Sequence, residues 1–103
     1  MRLPRSIEIV GKTFTIKTDP THDGGSVDVD KPLIEIGTSD PSETAENFLH
    51  EVGEAIMMMR DFRYALEKEE PENGDYKFIL DHKDWQLFSK DLSIALRGVK
   101  FDK

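Results

Sequence analysis

The chain of 103 residues carries 37% hydrophobic and 34% charged residues, a balance that fits one globular domain and excludes both a bilayer-spanning protein and a largely disordered one. Its formal net charge of −7 opposes a nucleic-acid backbone, and no Lys/Arg cluster with interleaved aromatics offsets it. It has no cysteine, which leaves His, Asp and Glu as the strong metal ligands and removes any disulfide framework.

The opening Met1-Arg2-Leu3-Pro4-Arg5 is basic but leads into no apolar run, so no signal peptide is expected and the cytoplasm is the default compartment. Residues 6 to 18, SIEIVGKTFTIKT, predict a hairpin. A two-residue Gly11-Lys12 turn would set Val10 against Thr13, Ile9 against Phe14 and Ile7 against Ile16, with the apolar residues on one face. Asp19 to Gly25 is dense in turn formers and reads as a loop containing His22. Alternation returns in SVDVDKPLIEIGT, a second predicted hairpin that sets Val27 and Val29 against Ile36 and Ile34 across a turn around Asp30-Lys31-Pro32-Leu33.

Asp40-Pro41-Ser42-Glu43 reads as a helix start: Asp40 caps, Pro41 suits the first turn, and Glu43 reaches back in a capping box. Phe48, Val52, Ala55, Met59, Phe62 and Leu66, widened by Leu49 and Ile56, recur at helical spacing, so a helix is expected over 40–68 with this stripe on the sheet. Met57-Met58-Met59 reads as core filling. The run from Glu67 to Gly74 is charged and broken by Pro71, a solvated helix end. After a short extended stretch from Tyr76 to Leu80, Asp81 would cap a second helix over 82–97, with Trp85, Phe88, Leu92, Ala95, Leu96 and Val99 as its apolar stripe and Gly98 as its stop. The expected fold is α+β: two N-terminal hairpins forming a small antiparallel sheet, then two helices packed on it, in a single domain over 1–103.

The chemistry is concentrated in His50-Glu51-Val52-Gly53-Glu54. His50 and Glu54 are four apart on the predicted helix, so their side chains leave one face and can share one ion. In the zinc motif HExxH the same spacing presents two imidazoles, with the intervening Glu beside the metal as general base; here Glu54 replaces the second His, and a carboxylate is also a zinc ligand. Of the remaining imidazoles, His82 is favoured over His22 as third ligand, since packing of the second helix beside the first would aim it at the pair. The expected ligand set is His50, Glu54 and His82. The competing reading is structural: with Val52 at the centre of the apolar stripe, His50, Glu54 and Asp61 fall opposite it, where any amphipathic helix carries solvated side chains.

The string Leu49-His50-Glu51-Val52-Gly53-Glu54-Ala55-Ile56, placed after two hairpins and before a second helix, resembles the small zincin-like, gluzincin-type metallopeptidase domains of phages and prophages over residues 6 to 97. Glu54 departs from the HExxH that most members carry. The resemblance implies a zinc-dependent hydrolase of peptide bonds in the host cytoplasm, with Glu51 as general base and Tyr64 or Arg60 as donor to the developing oxyanion. Its partner would be a peptide or protein, with neither nucleic acid nor membrane involved. The alternative is a non-catalytic accessory domain that keeps this fold, with or without a structural metal, and works through a partner surface; a third is an acidic inhibitor of a basic protein.

Overall fold

The computed structural model describes residues 2–61, 63–64, 77–78, 80–97 and 99. Strands β1 (Ser6–Ile9), β2 (Lys12–Asp19), β3 (Gly25–Asp28) and β4 (Leu33–Gly37) are followed by a 3-10 turn (Pro41–Glu43) and helix α1 (Thr44–Met59). Then come β5 (Arg63–Tyr64), β6 (Lys77–Phe78) and helix α2 (His82–Ala95). The α+β expectation holds: strands come first, and two helices cover one face of a four-stranded sheet.

The sheet is mixed rather than antiparallel. Its order is β1-β2-β4-β3, with β2 and β4 parallel and the other pairs antiparallel. The physical reason lies in side-chain content. Ile34 and Ile36 on β4 are wholly buried and need neighbours on both sides, whereas Gly25-Ser26-Val27-Asp28 suits an edge. The chain therefore passes β4 and returns into the centre. The 20–24 loop makes this crossing over the end of β4, where Gly37 N donates to Gly24 O at 2.7 Å and Thr38 N to Asp19 O at 2.9 Å. A side chain at Gly37 would meet the His22 and Asp23 backbone at 2.5 to 2.7 Å.

Both hairpins form two residues out of the expected register. In the first, Val10 (φ 50) and Gly11 (φ 76) are the turn, the pair of left-handed residues that matches strand twist in a type I′ turn. Ile7 consequently opposes Phe14, and Ile9 opposes Lys12. In the second, Asp28 accepts from Asp30 N and Lys31 N at 3.0 Å each, starting the turn before Val29, so Val27 opposes Ile34 and Gly25 opposes Ile36. A shift of two preserves the faces. Ile7, Ile9, Phe14, Ile16, Ile34 and Ile36 all enter the core, against Phe48, Val52, Ala55 and Ile56 of α1 and Ala95 of α2.

Asp40 caps the 3-10 turn, accepting from Ser42 N at 3.0 Å and Ser42 Oγ at 2.7 Å. The Glu43 carboxyl does not return to it, and instead meets Asp23 across the cleft. Helix α1 ends at Met59, well short of residue 68. Arg60 N still bonds Ile56 O at 2.9 Å, but Asp61 turns left-handed (φ 57) and the chain enters β5, which pairs with β6. Phe62, Leu66, the 67–74 run and Gly98 lie outside the described residues.

Helix α2 has the expected Asp81 cap, completed as a capping box with Asp84. It lies over β1 and α1. Buried Asp91 receives Arg60 of α1 in a bidentate pair at 2.8 and 3.0 Å, pinning the two helices. Trp85, expected in the core, is 53% exposed and stacks on Phe88 with ring centroids 5.5 Å apart.

Candidate metal centre

Three residues of α1 form the site because helical spacing distributes them around one rim. His50 and Glu54 lie on the outer ridge, and Glu51, about 100° further round, turns toward the sheet. His50 Nε2 is 3.4 Å from Glu54 Oε2 and 4.0 Å from Glu51 Oε1. Among the described residues, these three offer ligand atoms that all lie within 4.8 Å of one another, a group able to hold a metal ion. Two ligand atoms on one tetrahedral zinc, each at about 2.0–2.2 Å, stand roughly 3.3–3.6 Å apart. The His50–Glu54 separation meets that requirement, and the His50–Glu51 separation exceeds it by about half an ångström.

Glu51 sets this group apart from an ordinary solvated helix face. Its side chain is only 6% exposed, and its Oε2 is buried with no hydrogen-bond partner. Burial pushes its carboxyl above the usual range, the Glu54 charge pushes the same way, and His50 opposes both. β3 makes this burial by passing close over the helix at Gly25. A Cβ there would stand 2.8 Å from Glu51 Cγ and would also strike the Glu35 carbonyl oxygen. A glycine is therefore required by space, its missing side chain being the room Glu51 occupies.

The rim is tied down by Asn47, one turn before Glu51. Its Nδ2 donates to Asp23 Oδ1 at 2.7 Å and to Gly37 O at 3.1 Å, fastening the crossing loop to the helix. Asp23 also shares a hydrogen bond with Glu43. Asn47 and then Glu43 hold the Asp23 carboxyl below its ordinary value, and Asp23 raises that of Glu43. Together Gly24, Gly25, Glu43, Glu46, Asn47, His50 and Glu51 line an open cleft of about 420 Å³. Its charged wall is carboxylate apart from His50, so the cleft favours cations.

The structure brings together His50, Glu51 and Glu54, and leaves the two other imidazoles outside the group. His82 is the exposed first residue of α2. His22 stays in the loop, its Nδ1 2.7 Å from Asp19 Oδ2 and its side chain 74% exposed. Arg60, read as an oxyanion donor, is engaged by Asp91. Tyr64 belongs to β5, and its side chain lies outside the described residues. Sequence reasoning missed Asn47 and Gly25; the Gly24-Gly25 pair was the available sign of a close backbone approach. No helix among the described residues is long and apolar enough to cross a membrane. Comparisons with protein-family models, curated proteins and solved structures find no match to this chain.

Proposed function

We propose that this chain is a zinc-dependent, peptidase-like hydrolytic domain whose ion is held at His50 and Glu54 with the Glu51 carboxylate beside it. The observation that carries this reading is the Glu51 carboxylate, buried beside His50 and Glu54 with one oxygen unpartnered. A buried anion facing a second carboxylate is unfavourable by itself, and a cation placed between them reverses the sign of the interaction. Zinc fits better than magnesium or calcium because an imidazole is in the set and the oxygen ligands are few. The bound ion would supply Lewis acidity toward a carbonyl and acidify water at neutral pH.

The chain's own residues do the rest. His50, on the exposed side, marks the entry face of the site. β3 is an edge strand of the four-stranded sheet, and it runs beside Glu51, so an extended peptide can align with it through main-chain hydrogen bonds and present a carbonyl to the group. Glu51 has two candidate duties, general base or third ligand, and Glu51→Gln separates them. As base, the variant keeps wild-type zinc content and loses cleavage of a mixed peptide pool by at least about a hundredfold. As ligand, it loses the ion itself.

The second reading is a non-catalytic interaction domain with a structural metal. It is favoured by the position of His82: without that imidazole the group needs Glu51 as its third ligand, and no carboxylate of the motif then remains to act as base. Zinc in the wild type, loss of zinc in Glu51→Gln and no cleavage by either protein would establish it. Absence of zinc from the wild type would refute both metal-bound forms.

A further inference from the structure

On the side of α1 away from β3, the helix meets α2 at a glycine. Gly53 sits between His50 and Glu54 in sequence, and a Cβ built on it would touch only Phe88 Cζ, at 3.8 Å. Ordinary van der Waals contact of that kind leaves room for alanine, so packing does not demand the glycine. A glycine inside a helix nonetheless costs about 0.5–1 kcal/mol relative to alanine. What it leaves bare is an apolar surface: Phe88, Trp85 stacked on it and 53% exposed, and Leu49, one turn before Gly53 and 40% exposed. Trp85 and Leu49 are the exposed large hydrophobic side chains among the described residues, while Phe88 is partly buried against the core; Leu49 directly precedes His50 of the candidate metal centre. The surface is apolar on one side of the His50 ridge, and the cleft is acidic on the other, with Glu43, Glu46 and Glu51.

We propose that Trp85, Phe88 and Leu49 around Gly53 form the subsite for an aromatic or large aliphatic side chain of a peptide whose basic residue lies in the acidic cleft. This rests on the peptide-hydrolase reading for its substrate class and names the substrate more closely. Charge complementarity selects the occupant. A chain with a net charge of −7 and a carboxylate-lined cleft repels acidic segments and attracts a lysine or arginine, while the indole face holds the apolar neighbour. His50 and Gly53 are neighbours on the helix surface, and an extended peptide sets alternate side chains on one side, about 6.6–7 Å apart.

Trp85 is the only tryptophan in the chain, so its fluorescence reports this surface alone. The test titrates the full chain with a blocked tetrapeptide carrying lysine first, phenylalanine third and glycine elsewhere, once with zinc and once in chelator. We expect saturable change in Trp85 emission in both, with the dissociation constant at least about fivefold weaker when alanine replaces the phenylalanine or glutamate replaces the lysine. Calorimetry on Trp85→Ala and on Gly53→Leu, which would fill the floor, should show the same weakening while zinc content stays at the wild-type level.

Emission that never responds to the peptide, or equal affinity for the alanine peptide, overturns the proposal. So does emission that shifts with protein concentration alone, which assigns the surface to a second copy of the chain, or with neutral phosphatidylcholine vesicles, which assigns it to a lipid surface. Because the chelator arm needs no ion, failure of the metal reading leaves the platform result interpretable. Zinc binding without a peptide response overturns the platform alone.

Discussion

At the scale of single residues, the outer ridge of the site was readable from spacing and Glu51 from the motif, but the burial of Glu51 was not. Four residues on a helix bring His50 and Glu54 to one face wherever the helix packs, and the pair stands 3.4 Å apart as that rule requires. Glu51 has the same local sequence context, yet its character comes from β3, a strand more than twenty residues away whose Gly25 closes over it. Burial of a carboxylate by a distant backbone has no local signature. His82 shows the converse: a sequence can supply an imidazole near the right element, but only the rotation and rise of α2 decide where it points.

The raised Glu51 pKa gives a residue-scale prediction. An acid that binds its proton more tightly in the fold than in the unfolded chain makes the fold lose stability as pH rises, from the unfolded value up through the folded one. Metal-free wild type should therefore lose stability relative to Glu51→Gln as pH rises above the ordinary glutamate range. Thermal unfolding in chelator should show Glu51→Gln the more stable at neutral pH, with the gap closing as pH falls to the ordinary glutamate range. A gap independent of pH would show that Glu51 is not held in an unfavourable environment.

At the scale of elements, the existence and type of each main segment followed from periodicity, while registers and ends depended on turn chemistry. Both hairpins moved by two residues, which left Ile7, Ile9, Ile34 and Ile36 facing inward, so an alternating pattern fixes the face and is blind to a shift that keeps it. The extension of α1 to residue 68 failed because an apolar stripe continues through Met59 in sequence, whereas the backbone reverses at Asp61. Nor did a helical period reveal that Trp85 would be left exposed, since the width of α2 that is covered depends on how far α1 extends alongside it.

Two substitutions test how elements are held. Gly25→Ala forces a methyl group against Glu51 and the Glu35 carbonyl, so it should destabilise the domain by about 1–3 kcal/mol in denaturant titration and weaken metal binding at the same time. Arg60→Ala strands the buried Asp91 carboxylate between α1 and α2. It should cost about 1–3 kcal/mol by the same measurement, since the buried Asp91 carboxylate loses both charged hydrogen bonds from the partly exposed Arg60. Zinc content of Arg60→Ala should be that of the wild type, because its contact lies at the far end of α1 from His50.

At the scale of the whole molecule, fold class was legible because strands precede helices, and sheet order was not. Placing β4 between β2 and β3 requires comparing how apolar each strand is, rather than pairing neighbours in sequence, and the loop of Pro20 to Gly24 is the link that makes the crossing. That crossing brings β3 against α1, so the same topological step that makes the sheet mixed also builds the wall of the candidate site. Ligation across it should couple to global stability: zinc at a hundred times its dissociation constant would add about 2.7 kcal/mol, a rise in unfolding temperature of roughly 10–20 °C for a domain of this size.

The most direct test of the metal centre is elemental analysis of the purified chain after dialysis against chelator-free buffer, with His50→Ala and Glu54→Ala run in parallel. The account predicts about one zinc per wild-type chain and a large loss from both variants, since each removes a protein ligand from the His50, Glu51 and Glu54 group. Wild-type protein with only trace zinc, or variants that hold as much as the wild type, would contradict it.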